Sequence, residues 1–187
     1  MCGQCDQLEL QDNAEAQSHV IKVVSLWQPW AEAMRRKWKK NETRSWWCGH
    51  RGWLAIHAAK KKFNPNDYEP EFAHAVRSLD IWPDRLTYGA IVCIVWMTGC
   101  QRTEAIRQSL VQEGVIEVDL NHPTEGRFVG TELFWGDYSD KRYAWTTDSS
   151  RLIELPEPIP LRGRQGIFEW QMPEEVAVLT NSKRDGG

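Results

Sequence analysis

A chain of 187 residues with 41% hydrophobic and 26% charged residues has the size and balance of one globular domain with a single core. No apolar run approaches the roughly 20 residues that span a bilayer, and the polar, acidic N-terminus is no secretory signal, so a cytoplasmic protein without membrane contact is expected. A formal net charge of −3 excludes a uniformly basic nucleic-acid binder, whereas tryptophan is heavily over-used, with 11 residues in all.

In chain order, residues 1–18 read as a disordered leader and residues 21–26 (IKVVSL) as a short strand bounded by Gln28-Pro29. Pro29 suits the first turn of a helix. Trp30, Ala33, Met34 and Trp38 then recur at helical spacing, with Arg35, Arg36, Lys39 and Lys40 on the other faces and towards the last turn, where the helix dipole favours cations. After Asn41 the period changes to two, which predicts an extended segment with Glu42 and Arg44 projecting from one face and Thr43 from the other. Arg51-Gly52 marks a turn, residues 53–58 (WLAIHA) a buried strand, and residues 68–79 a helix. The strongest strand signal is 90–98 (AIVCIVWMT), apolar and β-branched behind Gly89. A short helix over 104–112, a long loop over 114–140, and strands at 143–147, 152–155 and 166–170 complete a domain spanning 19–172, followed by a flexible tail over 173–187. Short strands with a few interposed helices define an α+β fold, a small mixed β-barrel with interposed helices rather than a doubly wound sheet.

The five cysteines form an odd set, which speaks for reduced thiols. Cys2 and Cys5 make a lone CxxC to which Cys48 and His50 could add two zinc ligands, but no second CxxC or HxxxH accompanies them, so neither a metal nor a cofactor is expected. Charge is unevenly distributed: residues 35–62 hold ten cations and one acid, Glu42, while the rest of the chain holds 13 cations and 25 acids. A basic patch on an acidic body attracts a polyanion locally while limiting indiscriminate adhesion. A solvated helix face followed by an unrelated lysine run would have the same composition.

Ser25-Leu26-Trp27-Gln28-Pro29-Trp30-Ala31 resembles the SLxQPWA opening of ASCH domains, the activating signal cointegrator homology family. Lys39 to Trp46 is similar to that family's KxxExRSW core, Arg51 to Lys60 to its RGxLxIHAxK strand, and Gly89 to Val92 and Gly163 to Trp170 to its later strands. The resemblance runs from about residue 21 to 171, with the motifs in order. It implies a PUA-like β-barrel that binds RNA or DNA between the barrel and the first helix. It also implies a hydrolase alternative, since one subgroup is an acetylcytidine amidohydrolase using a lysine, a threonine and a glutamate, and other members are ribonucleases. Lys39 matches the family lysine and is the catalytic candidate if that alternative holds, but Glu42 stands where the amidohydrolase has threonine. A protein-binding adaptor is a further alternative. No Ser-His-Asp, HExxH or P-loop signature is legible.

The expected partner is therefore RNA or a nucleotide-containing ligand. Glu42 between Lys39 and Arg44 would orient the Arg44 fork towards phosphate or a base edge. Trp46, Trp30 and Trp27 are stacking candidates, with Trp46 the best because cations flank it. Lys60, Lys61 and Lys62 are candidate phosphate contacts, Arg51 is a further binding candidate, and Gln28 belongs to the family opening. Gln165 and Gly166 are placed on the final strand with backbone free to read a base, and His57 is either a core histidine or a ligand contact.

Overall fold

The computed structural model describes residues 19–113 and 132–183. In chain order these form β1 (Val20–Leu26), α1 (Trp30–Arg35), β2 (Asn41–Arg44), β3 (Gly52–Ala58), α2 (Pro70–Ser78), β4 (Ala90–Arg102), α3 (Thr103–Glu113), β5 (Tyr143–Pro160), β6 (Ile167–Gln171) and α4 (Glu174–Ser182). The fold is mixed α+β around one six-stranded sheet of order β2-β5-β4-β3-β1-β6. All neighbours are antiparallel except β1 and β3, which run parallel.

The alternation of strand side chains explains the continuous apolar runs. In β3, Leu54, Ile56 and Ala58 enter one cluster with Val24, Leu26, Val95 and Trp145, against which Ala31 and Met34 of α1 pack. Trp53 and Ala55 enter another with Val23, Ile91, Ile94 and Phe168. With both faces covered, a strand has no need of polar residues at every second position. A third cluster joins Ala33 of α1 to Val76, Leu79, Ile81 and Trp135 beside the sheet.

Several expectations are corrected. The sheet is not closed into a barrel: β2 and β6 are its edges, and no ladder joins them. β2 has only four residues and ends at Arg44, too short to carry a ladder onward. What reaches across is a side chain, Arg44 Nη2 donating 3.0 Å to the Ser25 carbonyl of β1. The two strands expected at 143–147 and 152–155 are one 18-residue strand whose register against β4 shifts three times; such bulges let a long strand bend without ending. α1 stops at Arg35 because Lys37 takes a left-handed φ of 62°, so Trp38 and Lys39 leave the helix. Beyond Pro173, where a flexible tail was expected, α4 places Val176 and Ala177 in the second cluster. The expected leader and most of the 114–140 loop lie outside the described residues. Within that loop the turn Glu132–Trp135 is described, and it buries Trp135 completely.

Candidate functional site

Parallel pairing of β1 with β3 sets Ser25 opposite His57 near the ends of both strands. The segment between β5 and β6 crosses above them, with Gly163 packed against the pair. A Cβ there would stand 2.4 Å from His57 Cε1 and 3.1 Å from Ser25 Oγ. Glycine is needed for this approach, not for its φ. Around these residues opens a cleft of about 1060 Å³. Of the described residues lining it, Arg44, Lys60, Arg162 and Arg164 are cationic and none is acidic. Trp27 and Trp46 stand on its rim, 54% and 40% exposed. Trp46 is held edge-on against buried Trp145 at 4.6 Å, and Lys61 Nζ sits 4.0 Å over the Trp27 ring.

His57 is 1% exposed and fully engaged. Its Nε2 lies 3.0 Å from the Leu161 carbonyl and its Nδ1 3.1 Å from Ser25 Oγ. A carbonyl only accepts, so Nε2 carries the proton and Nδ1 accepts from the serine hydroxyl. Burial pushes the imidazole below its ordinary pKa, the Leu161 carbonyl opposes this, and the Lys60 charge adds to the lowering.

A second cavity of about 600 Å³ shares Ser25, Trp27 and Arg44 with the first. Here Lys39, Glu42 and Arg44 meet as the sequence predicts, but as a packed ion cluster. Lys39 is 2% exposed, donates 2.9 Å to the Trp135 carbonyl and lies 3.4 Å from Glu42 Oε2. Arg44 Nε lies 2.8 Å from Glu42 Oε1, an ion pair whose N–H is not aimed well enough for a hydrogen bond. Trp30 lines this cavity, packed edge-on against Tyr68 and stacked on Phe72. Behind it, buried Glu132 accepts from the Asn41 backbone at 2.9 Å and from Tyr138 Oη at 2.8 Å. Burial raises the pKa of the Glu132 carboxyl, against the nearby Lys39 charge and these donors.

The predicted site residues thus divide. Arg44, Trp46, His57, Lys60, Gln165 and Gly166 line the cleft, although Gln165 and Gly166 precede β6 rather than lying in it. Lys39, Glu42 and Trp30 line the second cavity, and Lys61 reaches the cleft only through Trp27. The other two candidates are held elsewhere. Gln28 lines neither cavity: it is 1% exposed, with Nε2 donating to the Thr87 carbonyl and Oε1 accepting from the Glu32 backbone at the start of α1. Arg51 folds back onto the carbonyls of Cys48 and His50. The basic run over 35–62 is no single face, since Arg35 and Arg36 pair with Glu32 and Lys39 is buried. Sequence reasoning missed Arg162 and Arg164, whose signal was the dense RGRQG run, and Ser25, which only the register of β1 places beside His57. Cys48, Cys93 and Cys100 are free thiols, and no group of three or more metal-ligating side chains occurs among the described residues. No helix among them is long and apolar enough to cross a membrane.

No family model and no curated protein matches the sequence. Among solved structures the chain is similar to the crystal structure of ASCH from Zymomonas mobilis, at 13% identity and a TM-score of 0.42, covering 88% of this chain and 92% of that one. It is similar also to two mutant forms of that protein, at 15% and 14% identity with TM-scores of 0.43 and 0.44, each covering 86% of this chain and 96% and 94% of the other. The family resemblance rests on the sequence motifs.

Proposed function

We propose that the larger cleft binds RNA, favouring single-stranded or modified RNA over duplex DNA. The observation that carries this reading is charge: among the described residues, four cationic side chains line the cleft and no acidic one does. Arg44 is paired with Glu42, but Lys60, Arg162 and Arg164 carry no ion pair among the described residues, which leaves them for phosphate. The half-exposed rings of Trp27 and Trp46 favour a single strand, because only unstacked bases offer a face to an aromatic side chain. The lysine-centred hydrolase reading has no such support, since Lys39 Nζ is held by the Trp135 carbonyl and lies beside Glu42 in the other cavity.

The test is retention of a single-stranded oligoribonucleotide on a filter across a salt series. Replacing both Arg162 and Arg164 with Ala should flatten the log–log salt slope by about 1.4, since each phosphate left unneutralised on a single strand lowers it by roughly 0.7. An unchanged slope removes these arginines from the interface. Tighter binding of duplex DNA of matched length would overturn the single-strand preference.

A further inference from the structure

We infer that Ser25 and His57 form a nucleophile–base pair for acyl transfer, with an O-acyl ester of a phosphate-bearing compound as the substrate class. The inference rests on the cleft as an anion site, not on RNA being its ligand. The two residues are 32 apart in sequence and no motif joins them, yet parallel pairing of β1 with β3 holds Oγ and Nδ1 at 3.1 Å. That is the reach a base needs to take a hydroxyl proton. The Leu161 carbonyl, 3.0 Å from Nε2, fixes the tautomer that leaves Nδ1 free to accept and would stabilise the imidazolium once formed. It thus takes the orienting place that a carboxylate holds in serine hydrolases.

Ser25 Oγ also lies 3.2 Å from the Arg164 carbonyl. The hydroxyl has one proton, and buried Nδ1 has no other partner among the described residues, so the proton is directed to Nδ1. Both residues line the cleft, and Gly163 comes close without a side chain that would displace the pair. Arg44, bonded to the Ser25 carbonyl, and Lys60 bring positive charge to the same cleft, which an oxyanion requires and which holds the phosphate of the substrate.

In the first half-reaction Ser25 Oγ bonds to the ester carbonyl carbon while its proton passes to His57 Nδ1. The tetrahedral adduct collapses, the bond to the alcohol oxygen breaks, and that oxygen leaves with the proton from Nδ1. Water then adds to the acyl-serine and gives a proton to Nδ1. The acid departs as Ser25 Oγ takes that proton back. Nothing is oxidised or reduced, and water is the co-substrate.

The experiment uses the full chain and a fluorophosphonate probe, with the adduct located by peptide mass. One adduct is expected, on Ser25, together with loss of p-nitrophenyl acetate hydrolysis. Ser25→Ala should abolish both, and His57→Gln should slow labelling by about a hundredfold or more. No adduct, an adduct elsewhere, or a wild-type rate in His57→Gln overturns the pair. Should His57→Gln fail to fold, the wild-type labelling rate against pH decides instead. Among the described residues, the charged groups that line the cleft with the pair are Arg44 from β2, Lys60 after β3, and Arg162 and Arg164 before β6, while the second cavity that shares Ser25 adds Lys39, Arg142 and the carboxylates of Glu42, Glu69 and Asp137. The cations are strong bases and the carboxylates lie on the far side of Arg44, so a rate that climbs through one ionisation below about 6.5, and is lost in His57→Gln where that variant folds, reports His57. A flat profile overturns the base role. Adenosine monophosphate at saturation should slow labelling, and undiminished labelling overturns the phosphate-bearing class. Labelling needs no RNA, so its absence and a failure to retain RNA are separate results.

Discussion

The two cavities meet at Ser25, Trp27 and Arg44, but they use charge in opposite ways. In the smaller one Lys39, Arg44 and Arg142 stand with Glu42, Glu69 and Asp137, so cations and carboxylates among the described residues are equal in number and the closest of them pair. In the larger one no acidic side chain stands among the described lining residues, and Lys60, Arg162 and Arg164, all exposed, have no ion-pair partner among the described residues. Charge that is buried and paired fixes the fold, because an unpaired buried ion is costly. Charge left half-exposed and unpaired is available to a polyanion. Arg44 belongs to both sets, ion-paired with Glu42 on one side and hydrogen-bonded to the Ser25 carbonyl on the other.

The largest effect should come from the paired side. Glu42→Gln removes the paired carboxylate beside Lys39, whose side chain is 1% exposed, and should destabilise the fold by about 3–5 kcal/mol in urea unfolding. RNA affinity per folded molecule should hardly change. A small stability loss with a large affinity loss would merge the two cavities into one binding site. Arg44→Lys comes next and tests the shared residue. It keeps the charge but loses the fork that reaches both Glu42 and Ser25, so affinity should fall by about 1.5–3 kcal/mol, with a lower melting temperature. Lower stability with normal binding would assign Arg44 to the smaller cavity alone. Gly163→Ala should cost about 1–3 kcal/mol in stability, because the new methyl meets the His57 ring.

The histidines give a pH test. Burial lowers the pKa of both His50 and His57 below 6.5, so the unfolded chain takes up their protons first. Their stabilisation is complete above pH 6.5 and is lost as pH falls from there towards the lowered values. Glu132 acts in the other direction, since its carboxyl is raised above 4.5 and stability falls as pH rises through that window. Melting temperature measured against pH for wild type and His57→Gln isolates the His57 part: the variant should show the shallower rise towards pH 6.5. The smallest effect expected is from Lys61→Ala, which removes a cation over Trp27 and should cost about 0.5–1 kcal/mol in urea unfolding.

The parts of the fold legible in the sequence were those with a local cause. Residues 53–58 and 90–98 read as strands because both sheet faces are covered there, and Glu42 and Arg44 share a face because an extended chain alternates. α4 is hard to read because its buried residues, Val176, Ala177 and Thr180, follow a proline and two glutamates that resemble the start of a polar tail. The open sheet was hidden because closure depends on the length of β2 and on how far β4 and β5 bend, neither of which a hydrophobic pattern encodes. At the site, charge is densest over 35–62, but density along a chain does not decide where side chains converge. Glu32 ties down Arg35 and Arg36, while Arg162 and Arg164 arrive from far away in sequence. Ser25 carries no signal of its own; only register gives it His57 as a neighbour.

The pairing of β1 with β6, in which Val20 faces Gln171, also governs when the molecule becomes competent during its own synthesis. β3 can pair with β1 early, but the outer side of β1 has no partner until residues 167–171 emerge, and Arg162 and Arg164 arrive with them. At about 5–20 residues per second, β1 waits on the order of ten seconds with one edge bare. Throughout that interval the cleft lacks its roof and half of its cations. A growing chain therefore presents an unpaired strand edge to its neighbours, a liability for aggregation. The cleft has its full set of described cations and its cover only once residues 162–171 are in place.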